Sequence, residues 1–212
     1  MARWEPGTPG RLQEAALELF ATRGYEQTTA AEIAQSVGLT ERTFFRHFSD
    51  KREALFHGQD QLVAAFLDGA AAAPPGAPAL DVVAAALRGA TGFFPDERRP
   101  RARVRQTVIE ANPALAERER HKLASIATTL ADALRERGVG DLAATLAAES
   151  GLTVFRIAFA QWIRDGEERS LADIAVGVLR ELAAVAGEVG EAITRRADGS
   201  PRAGALQARQ GQ

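Results

Sequence analysis

Residues 28 to 48 read Thr28-Thr29-Ala30-Ala31-Glu32-Ile33-Ala34-Gln35-Ser36-Val37-Gly38-Leu39-Thr40-Glu41-Arg42-Thr43-Phe44-Phe45-Arg46-His47-Phe48. A short helix opens at Thr28-Thr29, where Glu32, three residues after Thr29, completes a capping box. Ile33, Ala34 and Val37 point inward from it, and Gly38 breaks it. Thr40 caps a second short helix, and Leu39, just before the cap, can staple to Phe44 inside it. Phe44 and Phe48, four residues apart, face the first helix. Two short helices joined by a turn containing glycine are what a helix-turn-helix requires. The pattern leaves Glu41, Arg42, Thr43, Arg46 and His47 pointing outward. Arginine reads guanine bidentately, threonine can touch a thymine methyl, and amides at a helix N-terminus hold phosphate. That is what a recognition helix offers a major groove. An ordinary pair of surface helices with a solvated polar face would use the same residues, and geometry alone leaves both readings open.

Working outward, Thr8 is expected to cap a preceding helix with Pro9 at its first position. Leu12, Ala15, Ala16, Leu19 and Phe20 form its apolar stripe, and Gly24 stops it. Downstream the helices lengthen. They are expected over Gln59–Ala73, closed by Pro74-Pro75-Gly76-Ala77-Pro78, over Leu80–Ala90, over Arg101–Ala111, from Leu115 to Gly138, and over Asp141–Asp165. Ser170 and Asp173 cap a last one, whose stripe runs Leu171, Ile174, Val178, Leu182, Val185, Val189, Ile193. No strand-like alternation and no repeat is present. The expectation is an all-α chain with an N-terminal three-helix helix-turn-helix domain over 1–57 and a helical domain over 58–196. The Gly-, Ser-, Pro-, Arg- and Gln-containing tail, 197–212, is expected to be disordered.

Composition narrows the function. The chain has 212 residues, 46% of them hydrophobic and 25% charged, with no cysteine and a net charge of −2. These are the proportions of a globular protein, and the missing cysteines exclude a disulfide framework, a thiolate metal site and a cysteine nucleophile. Of the 26 basic residues only Lys51 and Lys122 are lysine, which with the abundant Ala and Gly suggests a GC-rich bacterial genome. The N-terminus carries no apolar signal-peptide core, and no run of about 18 apolar residues is present, so a cytoplasmic protein without a membrane span is expected. The histidines, His47, His57 and His121, lack metal-ligand spacing, and no nucleophile elbow or phosphate-cradling glycine loop occurs. The expectation is a non-enzyme with no cofactor, no metal and no catalytic residues. Residues 1–57 hold seven basic and eight acidic side chains, so non-specific attraction to nucleic acid should be weak.

The segment Phe44-Phe45-Arg46-His47-Phe48-Ser49-Asp50-Lys51-Arg52-Glu53-Ala54-Leu55-Phe56 closely resembles the TetR/AcrR family of bacterial transcriptional regulators. Thr28-Thr29-x-x-Glu32-Ile33-Ala34 and the Val37-Gly38-Leu39 turn carry the same resemblance. It covers residues 8–57 in detail and the remainder in length and helix count. The resemblance implies that Thr28 and Thr29 contact phosphate, that Thr40, Glu41, Arg42, Thr43 and Arg46 face bases and backbone, and that His47 and Lys51 hold phosphate. Loss of Lys51 should then lessen the salt dependence of binding. Phe45 departs from the family's usual tyrosine and cannot donate a hydroxyl bond to phosphate. The N-terminal arm, with only Arg3 and Arg11 basic, is short for minor-groove reading.

The same resemblance implies a ligand-responsive regulator, a repressor, binding a palindromic double-stranded operator as a homodimer. A small-molecule effector would lie among the fourth to eighth helices, lined by Leu62, Phe66, Leu87, Phe93, Phe94, Val104, Val108 and Ile126. The last two helices would pair with a second copy through Phe155, Phe159, Trp162, Ile174, Val178, Leu182 and Val185. The alternative is a helical small-molecule- or partner-binding protein that has lost DNA binding. The run Arg98-Arg99-Pro100-Arg101-Ala102-Arg103-Val104-Arg105 reads either as an anion-binding patch or as a charged loop and helix start. The second reading is preferred, the run pairing with Asp96, Glu97 and the Glu14 and Glu18 face of the first helix. By resemblance, that pairing would couple the two domains.

Overall fold

A computed structural model describes residues 7–198. The chain forms α1 (Thr8–Arg23), α2 (Ala30–Ser36), α3 (Glu41–His47), α4 (Lys51–Leu55), α5 (Gln59–Ala71), α6 (Ala79–Gly92), a 3-10 turn (Asp96–Arg98), α7 (Arg99–Glu110), α8 (Pro113–Glu136), α9 (Asp141–Trp162) and α10 (Leu171–Asp198). No strand occurs among the described residues. Arg3 and residues 199–212 fall outside them, as do the side chains of Val189 and Ile193. Ala197 and Asp198 continue α10, so the helix runs two residues into the stretch expected to be disordered.

Two hydrophobic cores organise the helices. The first gathers Leu12, Ala16, Leu17 and Phe20 of α1, Ile33 and Ala34 of α2, Phe44 and Phe48 around α3, and Leu55 and Phe56 around α4. Leu17 is buried here, while Leu19, an expected stripe member, only flanks the core. Thr8 is the first helical residue rather than the cap. Gly7 holds the cap position without a side-chain bond, and Pro9 still falls in the first turn, where its missing N–H costs nothing. Val108 and Ile109 of α7 and Leu115 of α8 complete this core from the far end of the sequence. A cut at residue 57 therefore separates residues that pack together.

The second core joins α5, α6, α8, α9 and the start of α10. α5 and α6 cross with their backbones nearly touching: a Cβ on Gly69 would stand 2.5 Å from the Ala85 carbonyl oxygen. Gly89 meets the Ala65 carbonyl more closely still, so only glycine fits at both positions. α9 is long and apolar enough to cross a membrane, with a mean hydropathy of 1.3, against the expectation of no such span. In this fold its buried face packs on α6, α8 and α10. Ser170 caps α10 as expected, accepting the Asp173 N–H at 3.1 Å.

Candidate nucleic-acid interface

The geometry of α2 and α3 begins with two threonine caps. Thr29 accepts the Glu32 N–H at 3.2 Å, and the Glu32 carboxylate accepts the Thr29 N–H at 2.8 Å, closing the expected capping box. The bonds from Thr29, backbone first and side chain second, hold the Glu32 carboxyl below its ordinary value. α2 ends on Gly38 at φ +73°, which lets the Leu39 N–H return to the Ala34 carbonyl at 2.9 Å. Thr40 then accepts the Thr43 N–H at 3.2 Å and starts α3. Arg11 donates to the Val37 carbonyl at 2.7 Å and so pins the turn to α1. It sits on the helix and not in a free arm.

Phe44 is fully buried and Phe48 nearly so, which fixes the rotation of α3. The opposite face carries Glu41, Arg42, Phe45, Arg46 and His47, all exposed, with Thr43 half-buried beside them. Neither Arg42 nor Arg46 forms an ion pair with any described residue. They stand one turn apart, on the side farthest from the core. Phe45 is 50% exposed, touching Phe44 edge-on at 5.5 Å. An exposed aromatic between two unpaired guanidiniums has an apolar body to offer a groove and no hydroxyl for a phosphate.

Two expected phosphate contacts are used internally. Thr28 is 1% exposed, and its hydroxyl donates to the Gly24 carbonyl at 2.8 Å, with the Leu19 carbonyl at 3.4 Å. Its side chain stabilises the turn before α2 and cannot reach solvent. The Lys51 ammonium donates to the Tyr25 carbonyl at 2.7 Å and the Thr28 carbonyl at 3.1 Å, and lies 4.1 Å from the centroid of the Tyr25 ring. Tyr25 was not singled out in the sequence, although it is the chain's single tyrosine. Burial, the largest influence, raises its phenol above the ordinary value. Asp50 was also missed: it caps α4 by accepting the Arg52 and Glu53 N–H groups at 2.8 and 3.1 Å.

The arginine run lies on α7 and its approach, and its alternate members serve opposite sides. Arg99 donates to the Glu167 and Arg169 carbonyls and pairs with Asp96 at 2.6 Å. Arg103 donates to the Ile163 and Arg164 carbonyls at 2.7 and 3.0 Å. Arg103 therefore caps the C-terminal end of α9, where positive charge is favoured, and Arg99 holds the loop between α9 and α10. Arg101 pairs with Glu14 of α1 at 2.6 Å, and Arg105 reaches the Leu55 carbonyl at 3.2 Å and Glu119 at 2.8 Å. The expected pairings with Asp96 and Glu14 are thus formed, whereas Glu18 and Glu97 form no pair with described residues.

α4 is also held from α8. Glu53 accepts from Arg118 at 2.7 Å and Lys122 at 3.1 Å, and the cations of Arg105 and Lys122 both face the Phe56 ring. Burial alone would raise the Glu53 carboxyl, but the hydrogen bonds from Arg118 and Lys122 outweigh it and hold the group below its ordinary 4.5. His57 packs edge-on against Phe48 at 5.7 Å, and burial, the leading cause, lowers its imidazole.

The expected effector lining divides. Leu62, Phe66, Leu87 and Ile126 are buried in the second core, with Phe93 and Phe94 packed against it. Val108 belongs instead to the first core, and Val104 is exposed. Those two line an open cleft of about 490 Å³ with Phe20, Tyr25 and Asn112, at the seam between α7 and the α1–α2 turn. The cause is the rotation of α7: Arg99 and Arg103 take its face toward the α9–α10 connection, and Val104 and Val108 fall on the side toward the α1–α2 turn. The expected pairing face divides similarly. Phe155, Trp162 and Ile174 are buried within the chain and cannot meet a partner, the Trp162 indole donating to Asp96 at 3.0 Å. Phe159, Val178 and Leu182 are half-buried, and Val185 is exposed. Leu142, Leu146 and Ile157 of α9, not expected, are exposed as well. Among the described residues no group of three or more His, Asp or Glu is placed to hold a metal.

Known proteins resemble this chain in sequence and in fold. Residues 12–57 match the family model for bacterial regulatory proteins of the tetR family, and residues 77–187 match that for the MftR C-terminal domain. The chain belongs to the TetR family of bacterial regulatory proteins. The HTH-type transcriptional regulator TcmR of Streptomyces glaucescens is 38% identical over 89 residues, 42% of this chain and 39% of that protein. The HTH-type transcriptional repressor KstR2 of Mycobacterium tuberculosis is 37% identical over 59 residues, 28% of each chain. These matches span well under half the length of either relative. The fatty acid degradation regulator FadR from Bacillus halodurans has the same fold, with a TM-score of 0.56 at 15% identity over 83% of this chain and 95% of that one.

Proposed function

We propose that the protein is a cytoplasmic, homodimeric repressor that binds a palindromic DNA operator and is released by a small-molecule effector. The observation that carries this reading is α3. It is a capped helix anchored by Phe44 whose free face presents Arg42 and Arg46 without an ion-pair partner among the described residues. Arg42, Arg46 and the Thr43 methyl would meet base edges, with Phe45 against the groove wall. Thr29, Thr40, Glu41 and His47 would meet the backbone or fix the approach.

Two copies are needed because one short helix contacts few bases, and a two-fold dimer doubles them. The surface for that pairing is the outer face of α9, with Leu142, Leu146 and Ile157, together with the α10 stripe Val178, Leu182 and Val185. From residue 183 to 188 every α10 residue is exposed, so this end of the stripe has no cover among the described residues. An effector entering among Leu62, Phe66, Leu87 and Ile126 would have to displace packed side chains. Its binding would favour an opened state over the packed one, and only that difference in affinity can shift the DNA-competent population.

Selection of bound DNA from a random pool tests the reading. An inverted repeat is expected, with half-sites about one helical turn apart. A pool that enriches no sequence would leave a helical small-molecule- or partner-binding protein in its place.

A further inference from the structure

We infer that Lys51 is a positioning residue for DNA binding, one that locks the helix-turn-helix closed without touching phosphate. The inference rests on the DNA-binding reading above and assigns Lys51 a different task within it.

Lys51 and Thr28 flank the α2–α3 unit on either side, 23 residues apart in sequence. The ammonium brings them together. It donates to the carbonyls of Tyr25 and Thr28 at 2.7 and 3.1 Å, and its charge lies 4.1 Å from the Tyr25 ring centroid. An ammonium has three N–H groups and no acceptor. Here two are committed to carbonyls, and the aromatic face stabilises the charge. With two donors spent on carbonyls and the charge set against the ring, one N–H at most remains for a phosphate, and the ammonium is anchored in the turn. The carbonyls belong to a turn that is already tight, with the Thr28 hydroxyl bonded inside it. Moving Lys51 would therefore loosen the entry to α2 while α4, which follows α3 after three residues, loses its tie to the same point. The angle at which Arg42 and Arg46 meet DNA depends on both ends.

The choice of residue fits this geometry. The chain writes 24 of its 26 basic residues as arginine, yet has lysine here. A compact ammonium on a flexible stem can converge on two carbonyls beneath a ring, whereas a planar fork is built for a flat, bidentate acceptor such as phosphate. A phosphate-holding site would accept arginine readily.

The test uses the full-length protein and its selected operator. Binding is titrated across a salt series for wild type, Lys51→Met, Lys51→Arg and Tyr25→Leu, with melting followed in parallel so that affinity is expressed per folded molecule. Lys51→Met should weaken binding about tenfold or more at fixed salt and leave the slope of log affinity against log salt unchanged. Lys51→Arg should not restore affinity. Tyr25→Leu, which keeps the Lys51 charge, should also weaken binding, and it carries the test if Lys51→Met fails to fold. A slope reduced by about one in Lys51→Met, or full rescue by arginine, would overturn the inference and make Lys51 a phosphate contact. Unchanged affinity per folded molecule in Lys51→Met and Tyr25→Leu would overturn it in favour of a role in stability alone. Wild type that binds no DNA would overturn the DNA-binding reading, and this inference with it.

Discussion

Arg42 and Phe45 divide the work of α3 between charge and shape. A guanidinium matched bidentately to guanine discriminates strongly against other bases, so Arg42→Ala should cost about 1–3 kcal/mol on the selected operator and much less on altered half-sites. Competition binding across a panel of single-base variants reads this directly, and an equal loss on every sequence would show that Arg42 holds backbone. Phe45 tests the opposite case. Phe45→Tyr adds one hydroxyl at a half-exposed position, and a new hydrogen bond to the charged phosphate should tighten binding to all sequences by about 1.5–3 kcal/mol. The salt slope should stay unchanged, because no charge is added. Titration at two salt concentrations would expose either error. Thr28 shows why residue type alone misleads at this scale. A threonine at the mouth of a helix looks like a phosphate ligand, but its hydroxyl is already bonded to Gly24, and 1% exposure leaves nothing to offer.

Among the α-helices, α4 is the shortest, and it is tied to α8 through Glu53. Glu53 sits between Arg118 and Lys122, and its depressed pKa means that this tie is complete above the ordinary 4.5 and is lost as pH falls below it toward the folded value. Acid unfolding should therefore begin as pH drops through the region just below 4.5, and Glu53→Gln should flatten that part of the profile in a denaturant titration repeated across pH. An identical pH dependence in the variant would assign the acid sensitivity to other carboxylates. The sequence announced α2, α3 and α10 well, because their caps and their inward stripes are local: Thr29 with Glu32, Thr40 with Phe44, Ser170 with Asp173. The face of α3 was readable for the same reason, since Phe44 and Phe48 fix its rotation. It announced α7 poorly. Arg98 to Arg105 was legible as charge, but which arginine faces which neighbour depends on partners as far as 87 residues away. Periodicity cannot supply them. Val104 and Val108 were misplaced with it, being judged by apolarity on a helix whose orientation polar contacts decide.

At the scale of the whole molecule, the proposed second copy would cover apolar surface that the described residues leave open. Leu142 and Leu146 are 73% and 59% exposed, so a charge there need not disturb the monomer's core. If the proposed dimer forms through this face, Leu146→Glu should keep the melting behaviour of the separated subunit, dissociate that dimer in sedimentation equilibrium, and weaken operator binding far more than half-site binding. A variant still dimeric at micromolar concentration would move the interface to the Val178, Leu182 and Val185 stripe alone. Phe155, Trp162 and Ile174 could not have been excluded from that interface by sequence, because a core stripe and a pairing stripe have the same period. Finally, α7 completes the first core through Val108 and Ile109 while Arg103 grips the end of α9 and Arg99 the loop that follows it. A chimera spliced between residues 57 and 58 would therefore inherit a reader domain missing part of its own floor and an Arg101 facing a stranger. The transplantable unit is the headpiece together with the partners of α7, and a working hybrid regulator would have to match Glu14, Leu55 and Phe56 to the incoming helix.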